Sequence, residues 1–108
     1  MDKQGDINIE DERGNVIDRL NVYIGDVTQF IYDSKIEDEL QKTFCLQFID
    51  PYGNTTFNSL QQEVLIDELQ SLLTPSLDTE KQQFLRTIIE FISKYKDEVH
   101  TYVKFRGD

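Results

Sequence analysis

One thiol and one imidazole, Cys45 and His100, are the only pair in the chain able to form a sulfur nucleophile with its base. A thiol enzyme needs that base within hydrogen-bond reach, a group to orient it and an oxyanion site. No spacing in the sequence supplies the last two. Cys45 is therefore read as a small buried hydrophobe. With one His and one Cys, a zinc set of nitrogen and sulfur ligands cannot be completed. Asp6, Asn8 and Glu10 alternate faintly like calcium-loop ligands, but Ile7 and Ile9 between them are apolar. Asp11 also stands where the sharp-turn glycine belongs. A strand with a polar outer face explains this run better. Carboxylate pairs such as Glu10/Glu12 and Glu37/Glu39 read as solvated charge. There is no Gly-rich phosphate loop and no Gly-x-Ser-x-Gly elbow. The expectation is a protein without enzymatic activity, resident metal or cofactor.

Charge is the most distinctive property that remains. The chain has 108 residues, with 21 Asp and Glu against 11 Lys and Arg, a formal net of −10. Residues 1–41 hold 11 acids and 4 bases, net −7, so the N-terminal part is the more acidic. Such a field repels nucleic acid and anionic membrane and draws basic partners from a distance. Only Lys94, Lys96, Lys104 and Arg106 approach a basic cluster, too little for a nucleic-acid face. The ending Arg106-Gly107-Asp108 spells an adhesion tripeptide, a match short enough to be chance. The N-terminus has no apolar core like that of a signal peptide, and no apolar run approaches a membrane span. With a single cysteine no internal disulfide can form, which fits a reducing compartment. A cytoplasmic location is expected.

The elements that must position these groups follow from periodicity. Ile7 to Glu10 alternate as a strand, Asp11 to Asn15 read as a turn, and a return strand runs from Val16 towards Ile24. Residues 26–42 fit either helix or strand. Thr43 to Ile49 read as a strand with Phe44, Leu46 and Phe48 on one face. Asp50-Pro51-Tyr52-Gly53-Asn54 is a tight turn, since Pro presets φ and Gly tolerates positive φ. A short strand, Thr55 to Phe57, follows. Ser59 with Gln62 three residues on suggests a capping box for a helix to about Leu73. Leu65, Leu69, Leu72 and Leu73 form its stripe. Asp78 or Thr79 caps a second helix that runs to about Val99, with Phe84, Leu85, Ile88, Phe91, Ile92, Tyr95 and Val99 facing inward. The short link makes the helices an antiparallel pair. His100 to Phe105 is a last strand, expected beside the Thr43–Ile49 strand. The fold class is α+β: an antiparallel sheet of about four to five strands with two antiparallel helices packed on one face. It forms one domain over 1–108, with 1–5 outside the ordered part.

Phe48-Ile49-Asp50-Pro51-Tyr52-Gly53-Asn54-Thr55-Thr56-Phe57-Asn58 with Leu60-Gln61, and the ending Val99 to Asp108, resemble a signature in small uncharacterised bacterial proteins. The likeness spans the C-terminal part of the chain and leaves out the first 40 residues. It implies a shared small bacterial domain, one reading of which is a toxin immunity protein. It transfers no functional residue.

Two classes of function fit. One is a neutralising protein for a basic partner such as a toxin, with Glu10, Asp11, Glu12, Asp33, Glu37, Asp38 and Glu39 as acidic contacts. Tyr52 is then an aromatic anchor. The other is a homodimer or interaction module built on an open sheet edge or a helix face. The segment from Asp50 to Asn58 is either part of such a surface or a self-contained turn. Turn chemistry alone accounts for its residues.

Overall fold

The structure, a computed structural model, describes residues 5–22, 43–49, 53–75 and 77–107. Four strands, β1 (Asp6–Glu10), β2 (Val16–Leu20), β3 (Asn54–Phe57) and β4 (Tyr102–Arg106), form an antiparallel sheet in the order β2-β1-β4-β3. Two helices, α1 (Ser59–Ser71) and α2 (Thr79–Ser93), pack on each other and on one sheet face. This is the α+β arrangement expected. Among the described residues no helix is long and apolar enough to cross a membrane.

Period-two alternation sorts each strand's side chains between two faces. Ile7 pairs with Phe105 and Ile9 with Val103, and all four are fully buried towards the helices. Phe57 pairs with Val103, and its ring meets Phe105 edge-on at 5.8 Å between centroids. The helices answer with Leu65 and Leu69 from α1 and Leu85, Ile88 and Ile92 from α2. Gln62 is the buried polar member of α1. Its Nε2 donates to Thr101 O at 2.9 Å, tying the helix to the entry of β4.

The opposite sheet face is polar and charged. Asp6 lies between Arg19 Nε and Arg106 Nε, each 3.6 Å away, and Lys104 Nζ stands 3.8 Å from Glu10. Arg19 Nε also donates to Asn8 Oδ1 at 3.0 Å. The calcium-like spacing of Asp6, Asn8 and Glu10 is thus the face of a central strand turned away from the helices, and Asp6 and Asn8 are buried there instead of solvated as expected.

The hairpin turn is made by Asp11, whose carboxylate accepts from Arg13 N, Asn15 N and Asn15 Nδ2 at 2.8–3.0 Å. Gly14 follows at φ +84°, a conformation that suits glycine. The ladder slips between Ile9 and Glu10, so Ile17 is the extra residue of a β-bulge. Asp18 beyond it reaches α2's end, accepting from Tyr95 Oη at 2.7 Å and from Lys94 Nζ at 3.2 Å.

Several expectations are corrected. Residues 43–49 are not a strand: Leu46–Phe48 is a single 3-10 turn, with Cys45, Leu46 and Ile49 buried and Phe44 and Phe48 exposed. The cause is a non-local anchor. Glu68 on α1 accepts from Phe44 N, Cys45 N and Leu46 N at 2.6, 3.0 and 3.2 Å, so these amides have no ladder to join. Consequently β4 lies between β1 and β3, not beside that segment. The capping box of α1 starts one residue early, with Asn58 and Gln61 exchanging both bonds. Helix α2 is capped by Asp78, which accepts from Lys81 N at 2.8 Å, and it ends at Ser93, not Val99. The residues 26–42, Tyr23 and Ile24 lie outside the described residues.

Candidate protein-binding site

The hairpin tip and the α2–β4 connection face each other across an open cleft of about 370 Å³. Asp11 and Glu12 line it from the hairpin and Glu98 from the connection, with Ile17 and Val99 as apolar members. Val99 is 75% exposed, and the bulge leaves Ile17 half exposed. His100 closes one end at φ +63°, the left-handed region that costs a side-chain-bearing residue strain. Its Nδ1 stands 3.5 Å from Glu12 Oε2, linking the two walls.

Of the acids expected to make contacts, three can be placed. Glu12 is exposed in the cleft. Asp11 lines the same cleft but has a structural duty: the bonds from Asn15 hold its carboxyl below the usual range, so it stays ionised. Glu10 turns to the polar sheet face and faces Lys104. Asp33, Glu37, Asp38, Glu39 and Tyr52 lie outside the described residues.

The thiol and the imidazole do not form a catalytic pair. Cys45 is buried and donates weakly to Gln61 O at 3.7 Å, whereas His100 is exposed and faces Glu12; the two share no hydrogen bond. Burial, with the charge of Glu68 added, pushes the Cys45 thiol up to about 11. A thiolate is the reactive form. A thiol-specific disulfide reagent at neutral pH is therefore expected to label the native protein slowly and the denatured protein at once. The native rate should climb until pH nears 11. Fast native labelling with a midpoint near neutrality would restore the nucleophile. Among the described residues no group of three or more His, Cys, Asp or Glu is placed to hold a metal ion.

A second surface escaped the reading of periodicity. Leu60 is 84% exposed and Phe44 76%, with Phe48 and Val64 exposed as well. Leu60 and Val64 are four residues apart, so they share one side of α1. At 100° per residue that side points away from Leu65, Leu69 and Leu72. The signal in the sequence is this second, shorter apolar row on the side of α1 opposite the leucine stripe.

Protein-family models, curated proteins and solved structures offer no match to this chain.

Proposed function

We propose that this chain is a small acidic protein that binds and neutralises a basic protein partner, as an immunity protein does a bacterial toxin. The observation that carries the reading is an exposed acidic and apolar cleft on a fold that holds half of its described bases in ion pairs. Arg19 and Arg106 are held on Asp6, Lys104 on Glu10 and Lys94 on Asp18. The cleft is lined by three carboxylates, Asp11, Glu12 and Glu98, against one arginine, Arg13, beside apolar Ile17 and Val99. Apolar anchors amid net negative charge suit a steered, specific encounter.

Affinity capture from host lysate at low and high salt, read by mass spectrometry, tests this reading. One stoichiometric basic protein, held more weakly at high salt, is the expected result; self-association indifferent to salt counts against it. With that partner purified, Glu12→Lys combined with Glu98→Lys should slow association about tenfold at low salt and leave dissociation nearly unchanged. An unaltered association rate would remove the cleft from the interface.

A homo-oligomer is the second reading. It is supported by β2, an edge strand whose Val16 and Ile17 are about half exposed.

A further inference from the structure

We infer that the outer face of α1, bordered by Phe44, is a docking surface for a cationic amphipathic helix of a partner protein. The inference rests on the reading that this chain binds a basic protein, and it adds to the hairpin cleft a second surface with its own contact chemistry.

Leu60 and Val64 form an exposed apolar row along α1. Glu68 follows Val64 by one turn and holds the Phe44 amide at 2.6 Å, so Phe44 flanks the same face of the helix. The Cys45 thiol contacts Gln61 O, so the segment beginning at Phe44 runs beside α1 on its Gln61–Glu68 side, next to this row. Exposed aromatic and aliphatic side chains gathered in one place mark interaction sites more often than scattered ones do.

Charge selects the occupant. Helix α1 contains Glu63, Asp67 and Glu68 and no Lys or Arg. None of the ion pairs among the described residues uses Glu63 or Asp67. Leu60, Glu63, Val64 and Asp67 recur at spacings of three and four, so apolar and acidic groups alternate along the helix axis. A second helix packs its ridges into rows of that spacing. Apolar residues on one stripe and Lys or Arg beside it complete both the packing and the charge, which is the helix-on-groove mode of recognition. A second copy of this chain is disfavoured. A two-fold contact sets the same patch against itself. Glu63 and Asp67 would then face Glu63 and Asp67 with no base on either helix to relieve them.

The test uses the isotope-labelled full chain and two synthetic peptides of identical Leu and Lys content. One has its leucines on a single helical face, and the other is scrambled. Amide shifts on titration with the amphipathic peptide should cluster at residues 60–68 and Phe44, with the scrambled peptide binding more weakly. Leu60→Ser with Val64→Ser should weaken binding by about tenfold or more, the size of a hot-spot loss. Both side chains are exposed, so the far-ultraviolet spectrum of that variant should match the parent. Glu63→Lys with Asp67→Lys should weaken binding and flatten its salt dependence. Shifts confined to the hairpin cleft, with the α1 variants binding normally, would overturn this docking site and leave the basic-partner reading standing. Sedimentation showing a dimer that Leu60→Ser dissolves would assign the face to a second copy. Failure of both peptides to bind at low salt would overturn the site, and capture of a basic protein from lysate would still decide the broader reading.

Discussion

Phe105→Ala is expected to destabilise the fold by ~3–5 kcal/mol, the usual cost of emptying a buried aromatic site. Phe105 is fully buried on β4, faces Ile7 on one neighbouring strand and Thr55 on the other, and meets the Phe57 ring edge-on. Among the described residues it is the largest fully buried side chain. Small domains have about 5–15 kcal/mol in total, so the loss takes a large share of the whole. At roughly 4 °C per kcal/mol for a domain of this size, the thermal midpoint should fall by about 12–20 °C. Urea denaturation followed by circular dichroism measures the loss directly. A cost below about 1 kcal/mol would mean that the space collapses without penalty, contrary to a close-packed centre.

Glu68→Ala should give the second largest effect, and a localised one. The carboxylate accepts three consecutive amides, those of Phe44, Cys45 and Leu46. Its removal leaves the segment before β3 without its anchor, at a cost of about 1–3 kcal/mol for charged hydrogen bonds of this kind. Hydrogen exchange distinguishes this from global weakening. The amides of residues 44–46 should exchange about a hundredfold faster, while those of β1 and β4 should change only as the overall stability does. Glu68→Gln retains one acceptor oxygen and should restore part of the protection. Equal acceleration across the sheet would show that Glu68 acts on the core as a whole.

These two residues also mark where sequence reasoning succeeds and where it fails. Phe105 was legible because Thr101, Val103 and Phe105 alternate with polar residues, and alternation is a local property of strands. Helix α2 was legible for the same kind of reason, from its period and the acid at Asp78. The Asp11–Asn15 turn was legible because its chemistry is contained within five residues. Residues 43–49 were not. Their apolar side chains occur on both alternations, and a carboxylate over twenty residues away decides their conformation. The place of β4 between β1 and β3 was equally hidden, since strand order depends on pairings remote in sequence. For the candidate site, the sequence singled out Glu12, which the structure leaves exposed at the hairpin. It did not foresee that Glu10 would face Lys104, or that the bulge would turn Ile17 towards the cleft. Leu60 and Val64 were passed over because an apolar residue on a helix is first read as core, and only burial separates the two roles.

The strand order has a consequence for synthesis. The two inner strands of the sheet are the first and the last described, β1 and β4. During synthesis Ile7 waits for its partner Phe105 until both helices between them have been made. Until then β1 has only β2 beside it, and a lone two-stranded hairpin is marginal in water. Between the making of β1 and of β4 the nascent protein is therefore an acidic chain carrying unsatisfied apolar strands, and its negative charge keeps neighbouring copies on a polysome apart.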